Sequence, residues 1–103
     1  MMSNRLKLHE ELVNVLGTRN VYFQPPETIK MKYPCIVYEK ENIETLFADN
    51  KPYKTRVRYS VTVIDTDSES EVAGKILAHF PMCVYSGHYT ADNLNHDSLI
   101  LYY

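Results

Sequence analysis

Three consecutive polar residues, Asn95, His96 and Asp97, are the local combination with the most chemical potential in this chain. A histidine can act as a general base when a carboxylate orients it and a nucleophile lies within reach. Ser98 and Cys83 are nucleophiles by type, but neither lies in a glycine-flanked elbow or another catalytic motif. Asn and Asp also form local hydrogen bonds in turns. The three residues therefore indicate a turn more strongly than a catalytic site, and we predict no catalytic residue.

Four acidic side chains follow one another at alternate positions and are called the acidic loop below: Asp65, Asp67, Glu69 and Glu71. Several oxygen ligands of this kind can bind Ca²⁺, but the segment lacks the glycine and the spacing of an EF-hand loop. The segment precedes a helical pattern, and acidic groups in a first turn are stabilised by the helix dipole. The histidines and cysteines also lack zinc-site spacing. We predict no metal and no cofactor.

Four basic side chains form a basic cluster that consists of Lys51, Lys54, Arg56 and Arg58. Such a cluster can contact phosphate groups, but Tyr53 is the single aromatic residue beside it on the polar side and provides no stacking platform for bases. The three glycines are isolated, so the sequence contains no phosphate-binding loop. The cluster is more typical of a strand that faces water or a protein partner.

Charge is distributed unevenly over the 103 residues, although the net charge is only −2. Residues 1–58 hold 10 Lys and Arg against 7 Asp and Glu, whereas residues 59–103 hold 1 against 6. A small negative total gives no reason to expect non-specific binding to nucleic acid. The opposite signs of the two parts can mark faces that attract each other across copies of the chain.

Periodicity predicts two helices and five strands in the order α-β-β-β-α-β-β. The predicted segments are a helix at 3–16, strands at 21–23, 35–40 and 54–65, a helix at 72–80, and strands at 84–90 and 99–103. We expect an α+β two-layer sandwich, with two helices on one face of an antiparallel sheet of four to five strands. The first helical stripe is predicted to run through Leu6, His9 and Leu12.

Two segments are expected to be exposed to partners or covered by them. The stretch between the strands at 35–40 and 54–65 is longer than a tight turn and is expected to project as an arm. The last strand stays apolar through Leu101, Tyr102 and Tyr103, so a sheet interior or another subunit must cover it. Because no apolar run approaches the ~20 residues of a membrane-spanning helix, no membrane contact is expected.

The ordered set of segments resembles the small tail-terminator, or tail-completion, proteins of long-tailed bacteriophages that infect Gram-positive hosts. The stretches that carry the resemblance are LVNVLGTRNVYF at 12–23, YPCIVY at 33–38, Ala48 to Asn50 with Tyr53, RYSVTVID at 58–65, residues 67–71, and DNLNHD at 92–97 followed by the apolar last strand. The resemblance covers nearly the whole chain. It therefore implies a single terminator-like domain over residues 1–103.

The resemblance implies a non-enzymatic virion structural protein of the phage neck, assembled in the host cytoplasm. Proteins of this family form a ring, usually a hexamer, that caps the tail tube, stops its polymerisation and joins it to a head-closure or connector protein. Phage DNA passes through the lumen without specific binding. Two other interpretations stay open: a head–tail connector or head-completion subunit, and a non-viral binding module. A hydrolase using His96 is a third.

A closed ring requires that one patch of each subunit meets a different patch of its neighbour. The basic cluster and the acidic loop can serve as such a pair, and the last strand can add apolar contact. The predicted subunit-interface residues are Lys51, Lys54, Arg56, Arg58, Asp65, Asp67, Glu69, Glu71, Leu101, Tyr102 and Tyr103.

Overall fold

The structure, a computed structural model, describes residues 3–103 except for the side chains of Leu46 and of residues 52–54. Its elements are α1 (Asn4–Leu16), β1 (Val21–Phe23), β2 (Cys35–Ala48), β3 (Lys51–Asp65), α2 (Val72–His79), β4 (Cys83–Ala91) and β5 (Leu94–Tyr102). The predicted order of two helices and five strands is confirmed, and the fold is α+β.

The five strands form one sheet in the order β1-β2-β3-β5-β4. Three pairs are antiparallel as predicted, but β1 pairs with β2 in parallel, with Val21 opposite Ile36. The sheet is therefore mixed, and the prediction of a wholly antiparallel sheet is wrong. After β1, Pro25 and Pro26 prevent a tight hairpin, and the long connection to Cys35 lets the chain re-enter the sheet in the same direction.

Both ends of α1 are capped by the residues expected from the sequence. The Ser3 hydroxyl accepts a hydrogen bond from the Leu6 amide at 3.1 Å, which satisfies one free donor of the first turn. Gly17 ends the helix at φ 90°, and its amide donates to the carbonyl of Val13. The buried side of the helix runs through Leu8 rather than Leu6, which is exposed, so the predicted stripe is rotated.

The core lies between the two helices and one face of the sheet. Its buried members are Leu8, Leu12, Val13, Val21, Ile36, Tyr38, Tyr59, Val61, Val63, Ala73, Ile76, Phe80, Leu99 and Leu101. Alternate residues of β3 point into this core, as the sequence predicted, and each fully buried aliphatic side chain contributes roughly 2 kcal/mol. Both helices contribute to the same cluster, so they cover the same sheet face.

The last strand, β5, lies inside the sheet between β3 and β4. Leu101 is fully buried there, so its assignment to a subunit interface is wrong: the chain's own core covers it. The turn predicted at 91–97 is also shorter than expected. Asp92 and Asn93, with φ of 53° and 62°, make a two-residue turn of the kind that joins adjacent antiparallel strands. Residues 95–97 consequently belong to β5.

The strands β2 and β3 extend well beyond the rest of the sheet. β1 stops pairing with β2 at Tyr38, and β5 stops pairing with β3 at Arg58. Residues 41–57 therefore form a two-stranded hairpin arm, closed by Asp49 and Asn50 in a left-handed turn. The predicted projection is confirmed, although the arm consists of paired strands, and the molecule reaches 50 Å along its longest axis.

Candidate assembly surfaces

A cluster of three side chains holds the base of the hairpin arm against the sheet. Arg56 on β3 pairs with Glu44 on β2, with 3.2 Å between Nε and Oε2. The guanidinium group also lies over the ring of Tyr102, 4.2 Å from the ring centroid. The Tyr102 hydroxyl in turn donates to Glu44 at 3.5 Å. These contacts connect β2, β3 and β5, so they fix the base of the arm to the rest of the sheet.

A second ion pair lies beside this cluster, between Arg58 and Glu41 at 3.1 Å. Glu41 occupies an irregularity of β2 where the register with β3 shifts. Both arginines of the basic cluster thus have carboxylate partners on the same hairpin. The sequence prediction considered β3 alone and did not pair it with the glutamates of β2. Lys51 lies exposed at the arm tip, whereas the side chain of Lys54 is outside the described residues.

The acidic loop begins at the opposite end of β3, where Asp65 is the last strand residue. Its first two carboxylates are used within the loop: Asp65 accepts a hydrogen bond from the Asp67 amide, and Asp67 accepts one from the Glu69 amide. Glu71 is the N-cap of α2 and makes no side-chain capping bond. The acidic residues therefore precede α2, and the predicted acidic first turn is absent from this helix.

Distance separates the two predicted charge patches. From Arg56 to Asp65 the extended strand β3 spans roughly 30 Å, at ~3.3 Å per residue. The basic cluster and the acidic loop therefore lie at opposite ends of one strand and cannot meet within one chain. An arrangement of this kind suits a head-to-tail contact between copies.

The last residue is tied to both helices through Glu11. The Tyr103 hydroxyl donates to Glu11, and Nε2 of His79 lies 2.9 Å from the same carboxylate. The hydrogen bond from Tyr103, reinforced by His79, lowers the pKa of Glu11 below its ordinary value of 4.5. Burial, together with that carboxylate, raises the pKa of Tyr103 to about 12. Tyr102 and Tyr103, two of the predicted interface residues, are thus half-buried and engaged within the chain.

The candidate trio of Asn95, His96 and Asp97 is divided between the two faces of β5. Consecutive strand residues point to opposite sides, so His96 and Asp97 do not interact. His96 stacks on Tyr89, with 4.5 Å between ring centroids. The Asn95 amide group reaches back to the carbonyls that end β3. His96 and Asp97 therefore do not form the histidine–carboxylate pair that a general base in this segment would need.

Asp97 has two partners on β4 that the sequence interpretation missed. The Tyr85 hydroxyl donates to Oδ1 of Asp97 at 2.7 Å, and Nδ1 of His88 lies 3.0 Å from the same atom. His88 would follow from the sequence if Asp92 and Asn93 were read as a two-residue turn, because His88 and Asp97 are then directly opposite each other. Tyr85 reaches the same face only because the register of β4 against β5 shifts directly after it. These contacts of Asp97 connect β5 with β4 and stabilise the hairpin that the two strands form.

Within residues 3–103, and apart from the side chains that the structure does not describe, no group of three or more His, Cys, Asp or Glu residues is placed to hold a metal ion. Neither α1 nor α2 is long and apolar enough to cross a membrane. No family model matches the chain, and no curated protein matches it either. Support for a function therefore comes from the geometry of this chain together with the resemblance described above.

Proposed function

We propose that this chain is a tail terminator of a long-tailed bacteriophage, a virion structural protein that forms a ring at the neck. The observation that carries the proposal is the placement of two contact elements, the hairpin arm and the acidic loop, at opposite ends of β3. A subunit with different contact elements at its two ends repeats head to tail, and such repetition closes into a ring when the rotation between neighbours permits it.

In the proposed ring, one face meets the last layer of the tail tube protein and the other meets a head-closure or connector protein. By resemblance, the ring is a hexamer. Phage DNA crosses its lumen without specific binding, because a chain with net charge −2 that is acidic in its second part does not retain phosphate through a set of salt-sensitive contacts. The ring assembles in the host cytoplasm and remains in the virion.

The test is removal of the gene from the phage that encodes this chain, followed by electron microscopy of the particles. A terminator stops tube polymerisation, so its loss should give tails of uncontrolled, excessive length that do not join heads. Supplying the unaltered chain from a plasmid should restore one tail length and infectivity.

The same experiment distinguishes a tail terminator from the alternative function, that of a connector or head-completion subunit. Loss of a connector or head-completion subunit should leave tails of normal length unjoined to heads. That result would contradict the terminator function and support the connector function. Virions of normal form and infectivity would exclude both neck functions.

A further inference from the structure

The strand β4 presents an open edge nine residues long. It pairs with β5 along one side and is the last strand in the sheet order, so its other side offers backbone donors and acceptors. The opposite sheet edge, β1, is only three residues long. An edge of the length of β4 is a template on which another strand can add.

β4 lacks the features that usually prevent such addition. Between Cys83 and Ala91 it contains no Lys, Arg, Asp, Glu or Pro, and its protection is limited to one irregularity between Tyr85 and Gly87. Val84 is 58% exposed and Tyr89 is 51% exposed. A long, uncharged and partly apolar edge of this kind is typical of a surface that is covered in an assembly.

The hairpin arm also has an open strand edge and exposed apolar side chains, so it can pair with β4. The edge of β2 is open beyond Tyr38, where β1 stops, whereas the arm's β3 edge contains Pro52, which has no amide hydrogen to donate. Ile43 is 55% exposed and Phe47 is 68% exposed. A two-stranded hairpin surrounded by water is only marginally stable. The arm thus gains stability when a further strand covers it.

Charge favours the same pairing. Arg56 and Arg58 are already neutralised by glutamates of the arm, so an uncharged strand can cover the arm without leaving these charges unpaired. The far end of β4 lies at the end of the sheet where the acidic loop begins, because Asn95 is opposite both Thr90 and Asp65. An arm that lies along β4 with its tip at that end places Lys51 of one copy at the same end of the sheet as the acidic loop of another.

We propose that the open edge of β4 binds the β2 edge of the hairpin arm of a second copy, as an added strand in a continuous intermolecular sheet. The inference rests on the proposed ring and names its interface. A contact between two β4 edges would close at two chains and leave Ile43 and Phe47 in water. The arm-to-edge contact uses both surfaces of every copy and repeats head to tail.

The test uses two variants of the purified chain, Val84→Lys on the edge and Ile43→Lys on the arm. Each places a lysine on a pairing strand, and charged side chains on an edge strand oppose the addition of another strand. Each variant alone should therefore lose the oligomers that the unaltered chain forms in native mass spectrometry. Their equimolar mixture should form a heterodimer of twice the 12.0 kDa chain mass, because one variant keeps an intact arm and the other an intact edge.

Ile29→Lys is the matched control, since Ile29 is an exposed apolar residue on the loop before β2. This variant should assemble like the unaltered chain, and thermal unfolding should show that all three variants are folded. The proposal is overturned if the unaltered chain stays monomeric, if either test variant still assembles fully, or if the mixture stays monomeric. Dimers of Ile43→Lys alone would instead indicate contact between two β4 edges.

The mixing experiment and the gene deletion together distinguish an error in the proposed interface from an error in the proposed function. A heterodimer in the mixture, combined with tails of normal length in phage that lack the gene, would keep the arm-to-edge contact and remove the terminator function. Overlong tails combined with folded, fully assembling variants would keep the terminator and remove this interface.

Discussion

The guanidinium group of Arg56 lies over the ring of Tyr102, with 4.2 Å between Cζ and the ring centroid. This contact connects a residue of the hairpin arm with the end of the interior strand β5. Glu44 adds an ion pair to the same guanidinium group, and both side chains of that pair are about seven-tenths buried. The contact explains how a hairpin that leaves the sheet can keep a fixed direction, as an assembly element must.

Replacing Arg56 by Ala should loosen the arm while the core persists. The change removes both the stacking on Tyr102 and the ion pair with Glu44, at a cost of about 1 kcal/mol. Amide hydrogen exchange within 41–57 should accelerate roughly five-fold, with core amides of β5 unaffected. Arg56→Lys keeps the charge but loses the planar stacking, so it should give an intermediate rate.

Arg19→Ala is the control for loss of an arginine, because Arg19 forms an exposed pair with Glu10 on α1. This variant should leave the exchange rates of the arm unchanged. It should change the free energy of unfolding by no more than ~0.5 kcal/mol. Exchange in the arm that stays at the unaltered rate in Arg56→Ala would show that neither the stacking nor the ion pair of Arg56 holds the arm.

The carboxylate of Glu11 should make the fold sensitive to acid. Its pKa is held below 4.5 by the hydrogen bond from Tyr103, so below that pH the unfolded chain binds more protons than the folded one. The stability contributed by this carboxylate is therefore present above about pH 4.5 and is lost as the pH falls through the lower folded value. In Glu11→Gln, the loss of unfolding free energy on acidification should be smaller than in the unaltered chain.

Urea denaturation at a series of pH values from neutral to acidic measures this effect. Tyr103→Phe removes the same hydrogen bond from the other side and should reduce the acid dependence in the same direction. Glu10→Gln controls for the loss of one negative charge on α1. An acid dependence that changes equally in Glu10→Gln and Glu11→Gln would contradict the role of Tyr103.

The turn between β4 and β5 allows a prediction in the stabilising direction. Asn93 has φ of 62°, a conformation that glycine adopts without a steric penalty and that Asn tolerates better than most residues. Asn93→Gly should therefore keep or slightly raise the melting temperature, because Asp-Gly is a preferred pair for this turn. Asn93→Val should cost about 1–2 kcal/mol of unfolding free energy.

Calorimetry of both variants gives the comparison. Ser98→Val, further along β5, is the control for introducing a β-branched residue into the hairpin, and its backbone is extended within a strand. If Val is no more costly at position 93 than at 98, the left-handed conformation of the turn is not what limits the choice of residue.

The same turn shows what the sequence could and could not establish. The alternation of apolar and polar residues in β3 predicted its buried face correctly, with Tyr59, Val61 and Val63 in the core. The polar residues Asn95 to Asp97 concealed the beginning of β5, because their partners lie across the hairpin and outside their own segment. Recognising the two-residue turn would have revealed the strand and the position of His88 opposite Asp97, whereas the contact of Tyr85 depends on the register shift that follows it in β4.

The arm and the parallel strand were harder to predict for different reasons. Residues 41–50 show no regular alternation, because a hairpin in water has no buried face that would impose one. The direction of β1 depends on how the loop after Phe23 returns, which local composition does not determine. The carboxylate partners of Arg56 and Arg58 follow only from the register of β2 against β3.

A charge exchange between the arm tip and the acidic loop tests how neighbouring subunits are oriented. Lys51 lies at the arm tip, and Glu69 is the exposed member of the acidic loop that is best suited to reversal, because Asp65 and Asp67 use their carboxylates within the loop. Lys51→Glu and Glu69→Lys should each weaken association roughly five-fold, equivalent to about 1 kcal/mol for an exposed pair. The double variant should recover most of that loss, because it exchanges the two charges and keeps their attraction.

Sedimentation at low and high salt measures these affinities. Added salt should reduce the difference in association affinity between the single variants and the unaltered chain, because salt screens exposed charges. Lys30→Glu, on the loop before β2, supplies a reversal of the same kind away from the arm and should leave association unchanged. If the double variant associates no better than either single variant, the arm tip of one subunit does not lie at the acidic loop of the next.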